Sequence, residues 1–134
     1  MKFARIVFVI AGVYGVLVLP PLYFLYDRIG RQDPPPITHP QFYYGFAGVA
    51  LAFQFVFFLI ATDPARFRPM IAPSIVEKIT YAAACATLHS QGRISFSDAA
   101  SGLPDTLFCL LFMVAWFTTH TGSRRMWIPN VRIP

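Results

Sequence analysis

Glu77 and Lys78 sit side by side in PSIVEKITYAAACATL (residues 73–88), a stretch otherwise suited to apolar surroundings. An ionisable side chain held at depth in a bilayer is expensive and marks a functional position by default. Three uncharged polar residues fall at matching depths in the apolar runs. If the helix carrying Glu77 begins near Met70, Glu77 lies about 10 Å below one boundary, Gln54 about 12 Å below it, and Tyr14 at a similar level. Tyr81, four residues after Glu77, shares its helical face. Tyr14, Gln54, Glu77 and Tyr81 are therefore a candidate polar layer able to hold and pass a proton. Lys78 points about 100° away from Glu77 and is expected to snorkel to the surface.

A second reading of the same residues stays open. Ser74-Ile-Val-Glu77 has the spacing of a capping box, in which the Ser and Glu side chains each satisfy the other's backbone N–H. In that register the helix starts at Ile75 and Glu77 belongs to its first turn, where the positive end of the helix dipole favours an acid. Asp105 is ambiguous in the same way. In a helix starting near Ala99 it lies about 9 Å below the opposite boundary, within reach of His89, and the two form a candidate outer pair for a proton relay. With Pro104 in a first turn, Asp105 is instead an ordinary helix-start acid. Either way Glu77 and Asp105 are expected near opposite faces, which argues against a two-carboxylate centre.

No Ser-His-Asp series, phosphate loop, HExxH or CxxCH motif occurs. Cys85 and Cys109 lie inside apolar runs with no CxxC and read as buried thiols. His39 stands in a loop without a second ligand at metal spacing. Neither a metal nor a cofactor is expected.

The elements that must position these residues follow from composition. Of 134 residues 56% are hydrophobic and only 13% charged, against about a quarter charged in soluble domains. A chain this short has no interior large enough to hide so much apolar surface from water, which points to lipid as solvent. The expected fold is all-α: an integral membrane four-helix bundle in one domain. Its spans are expected at about 6–26, 42–62, 70–90 and 99–119. The first is retained as an anchor and bent by Pro20-Pro21, which lack backbone donors. The second carries Gly45, Gly48 and Ala52, a small-residue stripe suited to close helix packing.

Orientation follows from Lys and Arg beside the spans. Lys2, Arg5, Arg66, Arg68, Arg124, Arg125 and Arg132 fall on one side, and Arg28, Arg31 and Arg93 on the other. Seven against three places both termini in the cytoplasm of a cell with a bacterial inner membrane (N-in/C-in), with 27–41 an outward Pro-rich loop and 120–134 a cytoplasmic tail. Pro34-Pro35-Pro36 predicts an extended strut. Asp63 is expected to cap the second turn, with Arg66 and Arg68 free to meet lipid phosphates. Tyr43, Tyr44 and Trp127 suit the interfaces, and His120 a helix end. The net charge of +5 is then a topology signal, and its scattered carriers form no nucleic-acid face.

The stretch YYGFAGVALAFQFVFFLIA, the stiff turn DPARFRP and the following PSIVEK resemble the small bacterial four-span proteins grouped with the DoxX-like families. That resemblance implies a four-helix membrane bundle and assigns no catalytic residue. By elimination, the sequence points first to a non-catalytic accessory or lipid-contacting component. Its expected partners are membrane lipids and protein subunits or further copies of the chain. The alternative is a proton-linked carrier or small membrane enzyme for an apolar molecule, built on Glu77.

Overall fold

The computed structural model describes residues 1–119; His120, Trp127, the three tail arginines and the expected cytoplasmic tail lie outside the described residues. Within them the protein is all-α. The elements are α1 (Lys2–Val18), α2 (Leu22–Gln32), α3 (Pro40–Thr62), α4 (Arg68–Ser90), the single turn α5 (Phe96–Ala99), a 3-10 turn (Ala100–Gly102) and α6 (Leu103–Thr118).

Each boundary has a local cause. Pro20 and Pro21 donate no N–H, so the α1 ladder ends at the bond from Leu19 N to Gly15 O. The chain turns there through bonds from Leu22 N to Leu19 O and Tyr23 N to Pro20 O, and α2 leaves at 63° to α1. The expected break is present, but helix resumes and runs to Gln32. The loop expected over 27–41 is accordingly shorter, and residues 33–35 bend instead of forming a straight strut.

Pro40 opens α3 in its first turn, where a missing N–H is harmless. Asp63 closes the following turn: its Oδ1 accepts from Arg66 N at 3.2 Å and its carbonyl from Phe67 N at 3.0 Å. Helix α4 starts at Arg68, six residues before the expected capping box. Ser74 is fully buried within it, its Oγ donating to Met70 O at 2.8 Å, so it caps nothing. A capping box does occur at Ser95 and Asp98, where it opens α5. At its other end α4 stops at Gly92, whose φ of +68° suits glycine. Bonds from Gly92 N to His89 O and Arg93 N to Leu88 O close that end.

The buried face of α3 runs Ala47, Ala50, Gln54, Phe57, Ala61, spacings of three and four that keep one stripe inward. Its other faces are also apolar: Val49, Phe55 and Leu59 are exposed. Helices apolar all round are the form a lipid solvent selects. By length and composition α3 and the continuous stretch Phe96–Thr118 can each cross a membrane, and a third crossing is available if α1 and α2 make one broken span.

Helix α1 packs on α3 and α6, and α4 on α6, while α3 and α4 touch sparingly. The core fills the end of the bundle where α1 begins. There Phe8 stacks on Phe112 with centroids 4.3 Å apart, and Phe57 meets Phe112 edge-on at 5.1 Å. All three rings are completely buried, with Ile60 and Ile71 beside them. Arg5 ties this end together by donating to the last carbonyls of α3, Ala61 O and Thr62 O, both at 3.0 Å. The expected glycine stripe does not set the α1–α3 contact: within it, only a Cβ on Gly48 would crowd a neighbour, the Tyr23 hydroxyl of α2 at 3.2 Å. A Cβ on Gly45 would meet nothing within 4 Å, whereas one on Gly12 would strike the Phe58 ring and one on Gly15 the Gln54 side chain. Close approach of α1 and α3 thus depends on glycines of α1.

Candidate functional site

Away from the core, the sparse contact between α3 and α4 leaves space. A cavity of about 750 Å³ opens there, lined by the C-terminal part of α1, the first half of α3, the middle of α4 and the start of α6. Its upper wall is apolar, with Val18, Leu19, Leu22, Phe46 and Val49. Charge gathers at the floor.

Lys78 is at the centre of that floor. It lies ten residues into α4, about 15 Å along the axis, too deep for its stem to carry the ammonium out to the near end. Its Nζ instead turns inward, 2.6 Å from Asp105 Oδ1 and 3.2–3.3 Å from the two Glu77 oxygens. The Phe57 ring lies beneath it at 5.4 Å. Lys78 is 8% exposed. The expected snorkelling is therefore replaced by burial with paired charge, the usual condition for an ion away from water.

Asp105 reaches this depth because α5 and the 3-10 turn spend seven residues before α6 begins. Pro104 then opens α6 and sets Asp105 in its first turn, as one of the two sequence readings held. From there Asp105 faces Lys78, not His89. The His89 ring is engaged with Ile94 O at 3.2 Å and rests against Phe96, so the expected outer pair does not form. Glu77 and Asp105 were expected near opposite faces; both in fact contact one ammonium.

The four residues expected to share a layer all line the cavity. Gln54 is 1% exposed, and its Nε2 donates to Ala50 O at 2.7 Å. That bond fixes the amide orientation and leaves Oε1 as a buried acceptor without a partner. Glu77 Oε2, although 3.2 Å from Lys78 Nζ, also receives no directed hydrogen bond. Tyr81 shares a hydrogen bond of 2.9 Å with Ser101 Oγ and stacks on Phe46. Tyr14 is half out of the bundle, its ring against Phe108 at 5.6 Å.

Sequence reasoning missed Lys78, Asp105 and Ser101 as one group with Glu77. The available signal was the length of α4: once Arg68 is its first residue, Lys78 is too deep to snorkel and requires an acid from another helix. The two expected lipid-phosphate contacts also separate. Arg66 is exposed beside the Phe67 ring. Arg68 is turned in, donating to Trp116 O at 3.2–3.3 Å with its guanidinium 3.9 Å over the indole, which leaves it occupied by the end of α6.

Chemically, two carboxylates and one ammonium leave one formal negative charge at a largely buried floor. Such a group can bind a proton or a cation, and it can exchange one for the other. Among the described residues no three His, Cys, Asp or Glu side chains converge as metal ligands. Comparison with protein-family models, with curated proteins and with solved structures returns no match.

Proposed function

We propose that this protein is a multi-pass inner-membrane protein of four crossings, with both termini in the cytoplasm, and that it is a proton-linked carrier for amphiphilic small molecules. One observation supports this reading above the others: a cavity of drug-like volume ends on a buried cluster holding one carboxylate more than it has cations. An accessory bundle has no need of that arrangement, whereas a carrier that moves protons does. The fourth crossing is α4. It is 23 residues long, about 34 Å, and the charges that lower its hydropathy are matched by Asp105 inside the bundle. The excess of Lys and Arg counted along the sequence, Lys2, Arg5, Arg66, Arg68 and the three tail arginines against Arg28, Arg31 and Arg93, supports the orientation. In that orientation the cavity lies toward the outer half, and its apolar wall would receive the hydrophobic body of the cargo while Glu77 exchanges the proton.

The test uses the full chain in vesicles loaded with a pH-sensitive dye. A proton gradient is imposed, then amphiphiles of cationic, neutral and anionic type are added in turn. At least one type should dissipate the gradient faster with the wild-type protein than with Glu77→Gln. If none does, the carrier reading fails.

A further inference from the structure

Resting on that carrier reading, we infer that the cargo is a protonated amine with an apolar body, and that it and a proton occupy the Glu77 carboxylate in turn. Three observations converge on it. The first is charge: Lys78 is shared by Glu77 and Asp105, so the floor lacks one positive charge. The second is polarity. Two buried polar atoms of residues on this floor receive no hydrogen bond, Gln54 Oε1 and Glu77 Oε2, the latter only ion-paired to Lys78 Nζ at 3.2 Å, and both are acceptors. Lys78, the one cationic donor lining the cavity among the described residues, is already committed to the acids. A ligand that completes the site must bring N–H donors and positive charge; a carboxylate or phosphate would bring a third anion. The third is the wall: the aromatic residues Tyr14, Phe46 and Tyr81 line the same cavity, and aromatic rings attract organic cations.

The exchange is a simple one. In the empty site a proton on Glu77 balances the floor. The arriving ammonium donates to Glu77 Oε2 and Gln54 Oε1, and the proton leaves to the cavity water. No covalent bond is made. Other groups do not take over this role. Among the described residues, the titratable ones lining the cavity are Tyr14 from α1, Glu77, Lys78 and Tyr81 from α4, and Asp105 from α6. Helix α3 contributes only the neutral amide of Gln54, and the 3-10 turn only Ser101. Asp105, at 2.6 Å from Nζ, is the closer counter-ion of Lys78, so the proton-exchanging acid is Glu77.

Binding of 4-phenylbutylammonium, 4-phenylbutanol and 4-phenylbutanoate to the full chain in lipid nanodiscs tests the inference, with empty nanodiscs as background. The three share one body and differ in the charge at its end. The ammonium should bind at least tenfold more tightly than either analogue. Its affinity should weaken toward tenfold per pH unit as the medium is acidified, and calorimetry in buffers of different ionisation enthalpy should record about one proton released per amine bound. Equal binding of the alcohol, or an affinity indifferent to pH, overturns the inference. Glu77→Gln, checked for native helicity, should abolish the proton release; retained release also overturns it. Should the neutral or anionic type alone discharge the vesicle gradient, carriage stands and the amine assignment falls. If no type does, both fall.

Discussion

Replacing Lys78 with methionine keeps the length of the side chain and removes its ammonium. Glu77 and Asp105 would then face each other across the space that Nζ held at 3.2 and 2.6 Å. At an effective dielectric of about 20, attraction at those distances is about 5 and 6 kcal/mol before dehydration of the ions is counted. Measured losses on removing one partner of a buried pair are smaller, about 3–5 kcal/mol, because the desolvation term is recovered. We expect Lys78→Met to destabilise the bundle by about that amount near neutral pH. Asp105→Asn leaves Lys78 balanced by Glu77, so its loss should be that of one charge-assisted hydrogen bond, about 1.5–3 kcal/mol. The double variant retains a single carboxyl that can take up a proton. It should therefore be less destabilised than the sum of the single changes by about 1 kcal/mol or more. Unfolding in mixed micelles, followed by far-ultraviolet circular dichroism as the denaturing detergent fraction rises, measures all three. A Lys78→Met loss under about 1 kcal/mol, or strict additivity in the double variant, would refute the buried three-charge cluster.

Three further outcomes are expected in the same unfolding assay. Gly15→Leu drives a side chain into Gln54 and should cost about 1–3 kcal/mol, while Gly45→Ala, with open space around it, should change stability by less than about 0.5 kcal/mol. Ser95→Ala removes a working cap and should cost about 1 kcal/mol; Ser74→Ala removes only an in-helix bond to Met70 O and should cost less. Arg68→Ala gives up two hydrogen bonds to Trp116 O and the contact with the indole, for a loss of about 1–2 kcal/mol and a shift in tryptophan emission, whereas Arg66→Ala should be close to neutral.

Local chemistry made much of the fold readable. An uninterrupted apolar run became α3, and two successive prolines ended α1, because both effects act within a few residues. At the start of α4 the span read from about residue 70 is close to the observed Arg68, and only the alternative start at the Ser74 capping box fails, for the opposite reason. Ser74 and Glu77 satisfy a local pattern, but a helix already begun at Arg68 passes through Pro73, and within a helix a serine hydroxyl can bond back to a carbonyl one turn behind. The four polar residues of the expected layer do line one cavity, since helical rise converts sequence position into depth fairly well. Their partner could not be read that way. Lys78 and Asp105 are far apart in the chain and on different helices, and no periodicity in either links them. The packing glycines were assigned to α3 because its spacing looked suitable; which helix contributes the close contact depends on the crossing itself, and Gly12 and Gly15 of α1 do so.

The break after α1 has a consequence for the surrounding lipid. Helix α2 is 11 residues, about 16 Å, and leaves at 63°, so with α1 along the membrane normal it extends roughly 14 Å sideways. None of its residues is buried, and Phe24 is 88% exposed. At the core end, by contrast, the bundle is drawn in around three phenylalanine rings. In a bilayer the described residues would occupy more area in the leaflet that holds α2 than in the other, a wedge suited to a membrane that curves toward its narrow end.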